Sequence, residues 1–238
     1  MKLYVYCFAE SLDTWNGAEH GVSGAPVRLL KIENLAVVVS DCDVDAFPVT
    51  RENGLAHAAV VRSVLEQTTP LPVRFGTLVT EKQLREYMTA VKSAVETKLA
   101  QLRGCVEMGV KIMWDVSDAA QSCKVDRASP GTTFLDRKRR EIHGDERSQA
   151  RVEELAGWLR EKVGGFVRGE QVKVRATEAR MLVTVAHLIE AGNIQEYRER
   201  LAEAVKERPE LHFMVSGPWP PYSFANIELE FQTQFRVS

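Results

Sequence analysis

Residues 2–9 alternate, with Leu3, Val5 and Cys7 on one side and Tyr4, Tyr6 and Phe8 on the other, which predicts a strand. After a Gly-bearing loop, Val27–Ile32 and Leu35–Ser40 read as a hairpin about Glu33-Asn34. The step then changes from two to three and four. His57, Val60, Val61 and Val64 form one stripe of a helix over about residues 53–66. That helix stops before Pro70-Leu71-Pro72, where two prolines force extended backbone. A second helix opens at Thr80 with a capping-box pair, Thr80 and Gln83. It carries Leu84, Tyr87, Met88, Val91, Val95, Leu99 and Leu102 to Gly104. Residues 105–116 return to strict alternation: Val106, Met108, Val110, Ile112, Trp114 and Val116 share one face.

Ser129-Pro130-Gly131 marks the expected domain boundary, giving an N-terminal domain over 1–128 and a C-terminal domain over 129–238. From Thr132 to about Val163 the pattern is helical, highly charged at first, with a stripe of Val152, Leu155, Leu159 and Val163 later on. A helix polar on all sides bridges domains or lies in solvent. Strands over about 166–176 and 179–189 follow, the second apolar enough for both faces to be covered. Asn193 is placed to cap the next helix, with Glu196 three positions on. Leu211, Phe213 and Val215 form another strand, and the tail Ala225–Phe235 alternates again. The fold class is therefore α+β: two domains of antiparallel sheet with helices covering one face, joined by a long charged helix. The second reads α-β-β-α-β-β, a rearranged ferredoxin-like order.

Composition changes this picture only by exclusion. Apolar residues are 45% and charged residues 27%, as in an ordinary globular protein. A net charge of −2 lacks the broad basic surface that nucleic acid requires. No apolar run approaches the ~20 residues of a membrane helix, and the N-terminus has no signal-peptide pattern. Cys7, Cys42, Cys105 and Cys123 have no paired spacing and read as reduced packing thiols of a cytoplasmic protein.

Candidate chemistry is sparse. Asp41, Asp43, Asp45 and Glu52 match four ligand positions of a calcium loop, but Ala46 replaces the turn glycine and Pro48 interrupts it, so the reading is a solvated acidic loop. Gly21-Val22-Ser23-Gly24 is one residue short of a nucleophile elbow. His20, His57, His143, His187 and His212 are scattered without ligand spacing, and His57 and His187 read as hydrogen-bonded core residues. The basic run Arg137–Arg140 is flanked by acids and lacks aromatics for base stacking, so it reads as a solvated or docking helix face. No catalytic residue, cofactor or metal site is assigned. The competing class, a small-ligand-binding or enzymatic α+β protein with a ferredoxin-like domain, would need a deep pocket converging on His57, Arg74 or His187.

Gly217-Pro218-Trp219-Pro220-Pro221-Tyr222-Ser223-Phe224 is the most specific stretch. Its prolines remove three backbone donors and fix an extended corner, leaving Trp219 either plugging the core or presented to a partner. Trp219, Pro220, Pro221, Tyr222 and Phe224 are the candidate partner-binding residues, since rigid aromatics are typical interface anchors.

This segment resembles the signature of the gas vesicle protein F/L (GvpF/GvpL) family. Leu71-Pro72-Val73-Arg74-Phe75-Gly76-Thr77 resembles the family's Pro-x-Arg-Phe-Gly-Thr stretch, Ser129–Leu135 its Pro-Gly-Thr element, and Gly104–Lys111 its Glu-bearing strand, all in the family's order. The resemblance implies two α+β domains and an accessory protein of gas vesicles, a minor component or assembly factor; with the unpaired cysteines and no assembled active site, the expectation is a cytoplasmic protein that is not an enzyme. The resemblance also implies contact with the shell protein GvpA, limiting its aggregation, and with other vesicle accessory proteins. An apolar shell subunit is an aggregation hazard that a strand edge can cover. Strands Val106–Val116 and Ala225–Phe235 are the candidate edges.

Overall fold

The computed structural model describes residues 1–10, 12–115, 149–176 and 180–226 of the 238. They form two compact units. One holds Met1–Glu107 and the chain from Pro218 onward, the other Met108–Gly217. The boundary expected at Ser129–Gly131 lies outside the described residues, as do Arg137–Arg140, His143, Cys123 and the tail strand beyond residue 226.

In the first unit β1 (Lys2–Glu10) is the axis of a five-stranded sheet. β3 (Leu35–Cys42) pairs antiparallel along one of its edges, and β2 (Val27–Ile32) pairs with β3 through a hairpin. Glu33 adopts a positive φ of 53° at that turn. Because β3 occupies one edge, the short strands β4 (Leu71–Pro72) and β5 (Leu78–Val79) share the other. An outer strand tolerates Pro72, which has no N–H to give.

The expected alternation of β1 breaks at Tyr6. The register slips between Val5 and Cys7, so Tyr6 is the extra residue of a bulge and the faces exchange beyond it. Tyr4, Tyr6, Cys7 and Ala9 therefore share one core with Val60, Val61 and Val64, rather than splitting between faces. Those valines belong to α1 (Arg51–Leu65), which starts two residues before the expected 53 because Thr50 caps it through the Asn53 amide.

Helix α2 (Glu81–Leu102) opens with the expected capping box and buries Leu84, Met88, Val91, Val95, Leu99 and Leu102. It packs on β1 and β4, and none of its residues enters the α1-side core. It therefore covers the opposite face, where Leu3, Val5 and Phe8 are buried. This sheet is covered on both faces, not one, which is why β1 and β3 are buried nearly throughout.

The second sheet runs β7-β8-β6-β9, built from β6 (Cys105–Asp115), β7 (Val167–Ala176), β8 (Arg180–Glu190) and β9 (His212–Trp219). Both sheets are antiparallel, and the class is α+β as expected. Strand β6 lies between β8 and β9, so its edges are taken and it is not free to pair with a partner strand. Its apolar row, Met108, Val110, Ile112 and Trp114, is buried. Helix α3, helical over 149–163, buries Val152, Leu155, Ala156, Leu159 and Val163. Helix α4 (Ile194–Lys206) buries Tyr197, Leu201 and Ala204. Asn193 makes no side-chain cap there; a 3-10 turn, Ala191–Asn193, leads straight into the helix. Because β6 joins this sheet, the described order is β-α-β-β-α-β.

Candidate functional site

The aromatic corner starts where β9 ends. Gly217 has a φ of 117°, open to glycine alone without strain, and its carbonyl accepts from Arg198 Nη2 at 2.7 Å. Trp219 closes the strand, and Pro220 and Pro221 follow with their rings buried. A 3-10 turn, Tyr222–Phe224, is held by Tyr222 N–H donating to the Pro220 carbonyl at 2.7 Å and Phe224 N–H to that of Pro221 at 3.1 Å.

Glu107 fixes this turn from 116 residues away. Its carboxylate accepts the Ser223 N–H at 2.7 Å and the Ser223 hydroxyl at 2.9 Å, so both oxygens are used on one residue. Hydrogen bonds to an ionised carboxylate are among the strong ones. The corner thus presents its side chains from a clamped backbone. Trp219 is 41% exposed and Tyr222 38%. Trp219 does not plug the core; Pro220 and Pro221 are buried in its place. Tyr222 is divided. Its ring reaches solvent, while desolvation first, then Cys7 and Glu107, push its phenol well above the usual range. Phe224 is half-buried. Sequence reasoning singled out the aromatics and missed the clamp, although Glu107 stands on the Glu-bearing strand.

A second polar cluster sits inside the first unit. The Tyr4 hydroxyl contacts His57 Nδ1 at 3.0 Å and accepts the Gly76 N–H at 3.0 Å. The Tyr6 hydroxyl contacts Ser40 Oγ at 3.0 Å and accepts the Val22 N–H at 2.9 Å. Gly21 makes that approach possible, since a Cβ there would stand 1.9 Å from Tyr6 Oη. Tyr4, Tyr6, Phe75 and His57 meet in tilted or edge-to-face contacts with centroids 4.8–6.1 Å apart. Burial pushes His57 down to about 4, opposed weakly by the Val73 backbone. Its Nε2 makes no hydrogen bond of acceptable geometry. Arg74, on the neighbouring segment, is exposed.

The second unit has its own chain of polar groups. His187 Nδ1 meets the Tyr197 hydroxyl at 2.7 Å and its Nε2 meets Glu170 at 3.3 Å, while Arg160 binds the same carboxylate at 2.5 Å. Desolvation lowers His187, and Glu170 offsets part of the shift. Each donor here has an acceptor, as a core histidine requires.

The remaining candidates are dispersed. Asp41 pairs with Arg28 at 2.8 Å and Asp45 with Lys2 at 2.6 Å, so two of the four candidate ligands are already paired with cations of the protein. Glu52 lies in the first turn of α1, where a carboxylate favours the helix dipole. Ser23 has a positive φ of 54°, but its hydroxyl contacts the Asn53 amide oxygen at 3.5 Å rather than a histidine. His20 and His212 are exposed and lie apart on the chain. No group of acidic, His and Cys side chains among the described residues has a metal-ligand arrangement. No helix among them is long and apolar enough to cross a membrane.

These features define a two-unit α+β protein with a clamped, partly exposed aromatic corner. A family model described as "Gas vesicle synthesis protein GvpL/GvpF" matches residues 2–226, and the chain belongs to that family. It is 27% identical to gas vesicle protein L2 of Halobacterium salinarum, covering 93% of this chain and 90% of that protein. It is 28% identical to gas vesicle protein L of a Streptomyces species, covering 95% and 94%. The fold matches the crystal structure of GvpF from Anabaena sp. PCC7120 with a TM-score of 0.80 at 19% identity, covering 96% of this chain and 97% of that one. The chain is accordingly a gas vesicle accessory protein, associated with gas vesicle components.

Proposed function

We propose that the chain binds the shell protein GvpA as an assembly factor or minor component and limits its aggregation. Trp219 and Tyr222, with the half-buried Phe224, form the contact, and the buried Pro220 and Pro221 are its base. The observation that carries this reading is the pair of exposed aromatics, Trp219 and Tyr222, on a backbone clamped by Glu107 and two buried prolines. Rigid aromatics lose little freedom on binding, so more of their burial is left for affinity. A role without catalysis is supported by the polar clusters of Tyr6 and of His187, whose groups are paired with one another. The order β-α-β-β-α-β with strands β7-β8-β6-β9 supports reading the second unit as ferredoxin-like. The work would be done in the cytoplasm, before the shell closes.

The test is co-expression with the GvpA of the same organism, followed by co-purification and a solubility assay. Soluble GvpA held in a complex, and lost with Trp219→Ala plus Tyr222→Ala, is the expected result. GvpA precipitating beside an unbound partner would refute shell contact. A complex indifferent to the double substitution would move the contact elsewhere.

A further inference from the structure

The outward face of α1 breaks the usual helix pattern. Arg51, Leu55, Ala58, Arg62 and Glu66 follow one another at three- and four-residue steps on the side opposite the buried Asn53, His57, Val60, Val61 and Val64. An outward stripe normally carries charge along its length. Here the middle is apolar: Leu55 is 60% exposed, Gly54, Ala58 and Ala59 lie open beside it, and Val49, just ahead of the cap, is 90% exposed.

Charge sits only at the two ends. Arg51 and Glu52 stand at the first turn, Arg62 and Glu66 at the last. Among the described residues none of these four side chains has an ion pair or hydrogen-bond partner. Helix α2 is the contrast: Glu81 pairs with Arg85, and Lys92 with Glu33 and Glu96.

We propose that this face is the contact of a homodimer, with two α1 helices antiparallel about a two-fold axis between Ala58 and Ala59. A second copy is the occupant because the face complements itself only when reversed. Arg51 of one copy falls opposite Glu66 of the other, and Glu66 opposite Arg51. Leu55 meets the aliphatic stem of Arg62, and Ala58 meets Ala59. A parallel pair would set like charges against each other. Alanine and glycine at the crossing let the axes come to the ~8 Å end of the usual range. The helix is 15 residues long, about 22 Å at 1.5 Å per residue. One such face falls short of the ~1,200 Å² of a standard interface, so the dimer is weak and concentration-dependent.

Sedimentation equilibrium of the full chain, from micromolar to near-millimolar, tests this without GvpA. Its failure is thereby separate from failure of the shell-binding reading. The expected result is a reversible dimer that Leu55→Glu weakens at least tenfold, with an unchanged circular dichroism melt because position 55 is exposed. Arg51→Glu and Glu66→Arg should each weaken self-association, and an equimolar mixture of the two should associate again, since that heterodimer restores both opposite-charge pairs. A chain that stays monomeric throughout overturns the proposal, including the case in which the face serves another protein. So does a dimer insensitive to Leu55→Glu, or single-variant losses that mixing does not restore.

Discussion

His57 gives the sharpest quantitative test of the first unit. Its ring lies against Tyr4, Tyr6 and Phe75, and burial pushes it from its ordinary 6.5 to about 4. The native state therefore takes up this proton later than the unfolded chain does. Between the two values the unfolded state holds more protons, so stability present above pH 6.5 is lost as the pH falls toward 4. At 1.36 kcal/mol per unit, the loss is about 2 kcal/mol between pH 7 and pH 5, and about 3 kcal/mol by pH 4. His187 shifts in the same direction, so the wild-type slope alone does not isolate His57. The informative variant is His57→Gln, which stays polar next to Tyr4 but does not titrate. Guanidinium unfolding at pH 7, 6 and 5 measures both proteins, with fluorescence of Trp15, packed against this core, as one probe. Wild type should lose about 2 kcal/mol more than the variant on going from pH 7 to pH 5. Equal losses would show that His57 is already hydrated or charged in the native state, so that burial does not hold its proton off.

Three further outcomes follow from other contacts. Gly21→Ala would place a Cβ 1.9 Å from Tyr6 Oη and should cost about 2–3 kcal/mol as overpacking; a melting temperature within a degree of wild type would contradict it. Tyr197→Phe removes the partner of His187 Nδ1 and should cost about 1–3 kcal/mol, since a buried acceptor or donor is left unmade; denaturant titration decides. Thr80→Ala removes one half of the capping box of α2 and should cost about 1 kcal/mol, read by the same titration.

What was legible in the sequence was what local pattern encodes. The stripe of α2, its capping box, the hairpin and the alternation of β6 depend on neighbours within a few positions, and each appears where the pattern placed it. What failed depended on distant partners. The bulge at Tyr6 adds one residue against β3 and exchanges the faces of β1, which no count of apolar positions reveals. β6 looks the same whether it is an edge or an interior strand; only its flanking by β8 and β9 decides. Trp219 illustrates the site itself. Three prolines predict a fixed corner, but whether the indole points in or out depends on which rings fill the core, and Pro220 and Pro221 fill it.

The Glu107–Ser223 contact links these two levels. A proline-rich corner is stiff within itself but can still swing at its ends, and here the free end is the 3-10 turn Tyr222–Phe224. A single hydrogen bond there would leave the turn free to pivot about it. Two bonds to one carboxylate, from the amide and the hydroxyl of the same residue, fix position and direction together. The carboxylate stands on β6, and both partners of the clamp, Glu107 and Ser223, belong to the same compact unit. That is the physical reason for treating the exposed aromatics as preorganised: their backbone was ordered when the chain folded, and a partner would meet it already in place.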